Sequence, residues 1–167
     1  MKTDKNITEG HVHRPPSNAL LAFQTEFEAS QLKVREALIN LRSALQTDGF
    51  DEDTAGSVEI VAAEALNNVA EHAYCGAEAG LVKLTAHFDR SLLYLSIFDE
   101  GRPMPGDRLP ERSDPMANVE AGDLPEGGFG WNIIRDLCDD IQYLRLNDGN
   151  HLLIRFAHHK TPNSGVL

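Results

Sequence analysis

Glu64-Ala65-Leu66-Asn67-Asn68-Val69-Ala70-Glu71-His72-Ala73-Tyr74 closes a helical pattern that opens near Asp51 or Asp53. Either aspartate can cap the orphan amides of a helix start. Val58, Ala62, Ala65, Val69 and Ala73 recur along one stripe, which predicts a helix with a buried face running to about Tyr74. Glu64, Asn68 and Glu71 fall in a narrow polar wedge beside that stripe, and His72 follows Asn68 by one turn. Two readings of the wedge stand side by side. It is a solvated helix face, or it projects a carboxylate and an amide into a cleft.

Working outward from this helix, Val34, Leu38, Leu41 and Leu45 predict an earlier helix over about Ala29 to Thr47, stopped by Asp48-Gly49. A short strand from Asn18 to Glu26 precedes it. On the other side, Leu81 to Phe88 and Leu92 to Asp99 alternate as strands across the turn Asp89-Arg90-Ser91. Gly101 to Gly128 is long, charged and rich in Gly and Pro, a length more typical of functional lids than of plain connections. A third helix opens near Gly130, with Ile133, Ile134 and Leu137 facing inward. Strands Ile141 to Leu146 and His151 to Phe156 are joined by Asn147-Asp148-Gly149-Asn150. The order predicts an α/β (α+β) two-layer sandwich, with a mixed, mostly antiparallel sheet and helices on one face. A domain over 17–158 is expected, with tails at 1–16 and 159–167.

The 167 residues suffice for one such domain, and 41% apolar content supplies its core. With 26 Asp and Glu against 15 Lys and Arg, the net charge is -11. That sign disfavours nucleic acid and anionic lipid and favours a basic or apolar protein surface. Cys75 and Cys138 stand far apart with no CxxC, so they read as packing residues in a reducing compartment. No apolar run approaches the ~20 residues needed to cross a bilayer. The first 16 residues are polar, and His11-x-His13 offers too few ligands for a metal site. A cytoplasmic protein is expected.

Three features carry chemistry. In the wedge, the Asn68 amide oxygen suits a hard cation such as Mg²⁺, and the Glu64 carboxylate can orient or deprotonate a hydroxyl. Asp99 ends an apolar strand face, where a carboxylate needs a partner: a backbone amide, an arginine or a ligand. The following Gly101 permits close approach to backbone. Gly127-Gly128-Phe129-Gly130-Trp131 stands at a helix start, where exposed N–H groups favour phosphate, but it lacks the P-loop ending and is not GxGxxG.

Taken in order, Glu64-x-x-x-Asn68-x-x-x-His72-Ala73-Tyr74, Asp99-x-Gly101-x-Pro103 and Gly128-x-Gly130 resemble the ATP-binding boxes of the Bergerat-fold (GHKL) ATPases, the group that includes histidine-kinase catalytic domains. Within that group the chain looks most like the bacterial anti-sigma-factor serine kinases, and Gly130 to Ile141 also matches their last helix. The resemblance covers Asn18 to Phe156. It implies ATP and Mg²⁺ as cofactors, with Asn68 on the metal, Asp99 on the adenine amino group and Gly101 beside the adenine. It further implies Gly128 and Gly130 around the phosphates, and Glu64 as the base that activates a substrate serine. The lid would span Arg102 to Glu126, with Arg102, Arg108 or Arg112 on phosphate. The implied partners are a STAS-domain anti-sigma-factor antagonist, a sigma factor and a second copy of the chain. The chain departs from the family at Trp131, where a smaller aliphatic residue is usual, and in the acidity of its lid. A histidine phospho-acceptor role for His72 is disfavoured, because such acceptors sit on a separate helix hairpin. A nucleotide-dependent binding module without phosphotransfer, or a stand-alone hydrolase or histidine-kinase fragment, remain the alternatives.

Overall fold

Ser30 and Asp51 start the two long helices. The Ser30 hydroxyl accepts from the Lys33 amide, and the Asp51 carboxylate accepts from the Thr54 amide at 2.7 Å. Each cap contributes about 1 kcal/mol. Glu52 and Asp53 in the first turn of the second helix favour its positive dipole end. The structure, a computed structural model, describes residues 14–74, 80–112 and 129–158. In chain order its elements are β1 (Leu20–Glu28), α1 (Gln31–Thr47), α2 (Glu52–Asn68), β2 (Leu81–Phe88), β3 (Leu92–Asp99), α3 (Phe129–Leu137), β4 (Asp140–Leu146) and β5 (Gly149–Ala157).

The expected α+β sandwich is present. The five strands lie in the order β1-β2-β3-β5-β4, and all four pairings are antiparallel. Strand alternation puts Val82, Leu84, Ala86 and Phe88 of β2, Leu93, Leu95 and Ile97 of β3, and Leu152, Ile154 and Phe156 of β5 in one core. Leu41 and Leu45 of α1, Val58, Val61 and Ala62 of α2, and Ile134 of α3 close that core from the helical side. Fully burying each of the large side chains stabilises the fold by about 1.5–3 kcal/mol. Arg42 of α1 holds the two long helices together by pairing with Glu52 and Glu59 of α2. The sheet's other face carries Thr85, His87, Ser96, His151 and Leu153. With Arg14 and Pro15 they line a shallow hollow of about 410 Å³ that includes none of the chemistry-bearing residues singled out above.

Three boundaries differ from the sequence reading in ways that matter. The second helix is not uniformly α to Tyr74, because Val69–Ala73 form a π-helical turn. Such turns often mark functional positions. β5 starts at Gly149, two residues before the predicted His151, so the hairpin loop is only Asn147-Asp148. This places Asn150 inside the strand, paired with Asp99. In the lid region, a 3₁₀ turn spans Pro105–Asp107, and 113–128 lie outside the described residues. So do Cys75, residues 1–13 of the expected tail at 1–16, and the expected tail at 159–167. Cys138 is half-buried and its thiol is pushed up to about 11, chiefly by burial, which keeps it a neutral packing residue.

Candidate active site

α2 positions the first two residues. Glu64 and Asn68 are four residues apart on its last stretch, both half-buried, so they rise from the same face about 6 Å apart along the axis. The α3 start comes up against Glu64. A Cβ placed on Gly130 would lie 2.5 Å from Glu64 Oε2, so only glycine leaves that carboxylate its place. The Asn68 amide nitrogen is buried and, among the described residues, has no hydrogen-bond partner. An amide N–H that has lost water without gaining an acceptor is costly unless a ligand supplies one. An orphaned amide NH₂ and an amide oxygen on the same side chain fit a metal-chelated phosphate chain, so the residues present suit the groups the sequence implies.

The π turn links this end to β3. It carries the chain from Asn68 to Ala73, where the carbonyl accepts from the Arg102 amide at 2.8 Å. Gly101 is pressed against that turn, since a Cβ there would meet Ala73 Cβ at 2.6 Å and Ala73 O at 2.7 Å. The sequence reading gave this glycine to close contact with a flat ligand, and the space a side chain would need is filled by Ala73. Tyr74 completes the junction. Its hydroxyl donates to Leu81 O and accepts from the Glu100 amide, both at 3.0 Å, tying the end of α2 to β2 and β3.

Asp99 is 4% exposed. Burial pushes its carboxyl above the ordinary aspartate range, opposed by hydrogen bonds from Asn150 and Gly101 and by the Arg145 charge. Its partners are a backbone amide and a side-chain amide: Gly101 N–H donates to Oδ1 at 2.9 Å and Asn150 Nδ2 donates to the same oxygen at 2.8 Å. Among the described residues no hydrogen bond falls on Oδ2.

Glu64 and Gly130 thus meet where α2 packs on α3, Asn68 ends α2, and Gly101, bonded to Asp99, meets Ala73 of the π turn that follows. Gly128 lies outside the described residues. Glu71 and His72 are exposed, so they belong to the solvated part of the wedge. Trp131 is half-buried and packs on the core. Of the three lid-root arginines, Arg112 is paired with Asp136 of α3, and Arg102 and Arg108 are exposed. The sequence reading missed Tyr143, Arg145 and Asn150, which surround Asp99. The available signal was period two: Asn150 shares a strand face with Leu152, Ile154 and Phe156, and a polar residue on such a face asks for a partner.

An antiparallel sheet with helices on one face is the architecture of the histidine-kinase type of ATP-binding domain. Residues 27–156 match the family described as "Histidine kinase-like ATPase domain", and the chain belongs to that family. It is similar to the serine-protein kinase RsbW of Halalkalibacterium halodurans, at 30% identity over 95 residues, covering 56% of this chain and 57% of that one. It is similar to the serine/threonine-protein kinase BtrW of Bordetella bronchiseptica at 27% identity over 139 residues, covering 83% of this chain and 94% of that one. It is also similar to the anti-sigma F factor of Bacillus licheniformis, at 29% identity over 89 residues, covering 53% of this chain and 59% of the relative. Among solved structures, the RsbU and RsbW domains of Rv1364c from Mycobacterium tuberculosis superpose with a TM-score of 0.54 at 15% identity. That match covers 86% of this chain and 34% of the other, and it bears on the fold alone.

Proposed function

We propose that this chain is an ATP- and Mg²⁺-dependent protein serine kinase that phosphorylates a STAS-domain anti-sigma-factor antagonist and alternately sequesters a sigma factor. The observation that carries the reading is the Glu64 carboxylate, held against the start of α3 one turn before the orphaned Asn68 amide. A module that only senses nucleotide has no use for a base at that place. Relatives named serine-protein kinase and anti-sigma F factor support the same class.

Asn68 would hold Mg²⁺, which neutralises charge on the transferring phosphoryl group when bound. The chain's own contribution is positional. Asp99 accepts from the adenine amino group at the base end. Gly130 brings no side chain to its place in α3, Gly128 and Gly130 would flank the phosphates as the family resemblance implies, and Glu64 takes the proton from the incoming serine hydroxyl. The net charge of -11 suits a basic sigma segment and argues against direct nucleic-acid binding. β1 is a sheet edge with Leu20 and Leu21 exposed, which suits pairing with a second copy. Among the described residues no helix is long and apolar enough to cross a membrane.

The test is phosphate on serine after mixing the protein, Mg-ATP and a STAS antagonist. Glu64→Gln should lose transfer by about 10²-fold or more while keeping ATP affinity within a few-fold. Undiminished transfer by that variant would remove the base from Glu64. Nucleotide-dependent partner binding with no phosphoserine would make the chain a switching module instead.

A further inference from the structure

Asn150 is the hub of a buried polar cluster that ties β4 and β5 to the end of β3 and the root of the lid. Its Oδ1 accepts from the Tyr143 hydroxyl at 2.6 Å and from Arg145 Nη1 at 3.0 Å. Arginine can only donate, so the oxygen of the amide must face Arg145 and the nitrogen must face the other way. That nitrogen donates to Asp99 Oδ1 at 2.8 Å, to Arg102 O at 3.0 Å and to Gly101 O at 3.3 Å. Arg145 Nη1 also reaches Gly101 O at 3.0 Å, and the Tyr143 hydroxyl accepts from the Met104 amide at 3.0 Å. Gly149 lets the strands close here, because a Cβ at that position would meet Asp99 O at 2.3 Å.

Every donor in this cluster that reaches the carboxylate lands on Oδ1. The second oxygen of Asp99 is thereby fixed in direction and left as an acceptor. We propose that Tyr143, Arg145 and Asn150 are positioning residues for base recognition: they commit one oxygen of Asp99 to the protein and aim the other at the 6-amino group of the purine. This rests on the nucleotide reading given above and adds the residues that set its base selectivity. Burial also keeps the Tyr143 hydroxyl protonated, so it stays a donor to Asn150 at neutral pH.

The experiment is a calorimetric titration of the full chain with Mg-ATP and with the Mg complex of purine riboside triphosphate, which lacks the 6-amino group. Wild type and Tyr143→Phe are compared, with Arg145→Met as a second variant and thermal melts to show that each folds. Wild type should bind ATP more tightly than the analogue. Tyr143→Phe and Arg145→Met should lose roughly three- to tenfold in ATP affinity, the range of one lost hydrogen bond, and less than about twofold for the analogue. The preference for the amino group should thus shrink in both variants. An equal loss for both nucleotides, or no loss in either, would overturn the positioning role and leave the nucleotide site standing. A wild-type chain that binds ATP and the analogue alike would overturn the role of Asp99. One that binds neither would remove the nucleotide reading itself.

Discussion

A carboxylate that loses water on folding prefers to be protonated, and Asp99 sits on that side of the balance. With its carboxyl raised above the ordinary ~3.9, the protonated form favours the folded state. That contribution is present in acid below the ordinary range and is lost as pH rises through the raised value. At neutral pH the ionised Asp99 therefore opposes folding, and the bonds from Gly101 and Asn150 only reduce the cost. Stability is given up here for an acceptor that a ligand can use. Asp99→Asn keeps the shape and an oxygen for Gly101 and Asn150 while removing the charge. The variant should melt above wild type at pH 7, with the difference closing towards pH 3, and should give no heat with Mg-ATP. Differential scanning calorimetry across that range and one ATP titration check both halves. A variant that melts lower than wild type at pH 7 would show that Asp99 is held for stability.

Between elements, glycines decide how close the parts of the site come. Gly130 is the informative one, because the atom in its way is the mobile tip of Glu64. Gly130→Ala should fold, since the atoms in the way belong to the Glu64 side chain and its carboxylate can swing aside. On the proposed reading of Glu64 as the base, its displacement is then the whole effect: a shift of about 1 Å in a reacting group costs up to ~10²-fold in rate. Melting within a few degrees of wild type, with phosphotransfer down at least about tenfold, is the expected pair of results. Gly101 differs, because backbone and Cβ of Ala73 fill its space and cannot yield. The elements themselves were readable because their apolar residues keep strict periods: 3.6 along α1 and α2, and two along β2 and β3. Asp99 was readable as a polar residue placed against its strand's period, and Glu64 and Asn68 as a polar wedge beside the α2 stripe that the family resemblance singled out. Asn150 was hidden by its neighbours, since Asn147-Asp148-Gly149-Asn150 has the composition of a turn and the true loop is two residues shorter. The π turn was hidden because its residues continue the helical stripe. Tyr143 and Arg145 lie on the edge strand β4, and the bonds they make to the end of β3 and the lid root depend on a strand order that no local pattern encodes.

Over the whole molecule the dominant fact is charge: 26 acidic side chains against 15 basic ones. A folded chain of 167 residues has a radius of gyration of about 15 Å. The screening length is about 30 Å at 0.01 M salt and about 8 Å at 0.15 M. At low salt, charges on opposite sides of the domain therefore repel one another, and near physiological salt they do not. Thermal stability should rise by a few degrees between those two concentrations of NaCl and change little beyond, because local pairs such as Arg42 with Glu52 and Glu59 are screened in the opposite sense. The same field bears on partners. On the proposed reading, a basic sigma segment would be drawn in at low salt, so its association rate should fall steeply over the range in which the isolated chain grows more stable. Stopped-flow binding and melting curves in one salt series measure both trends. If partner association quickened with salt while the chain gained stability, the partner surface would be acidic, and the charge argument for a sigma factor would be lost.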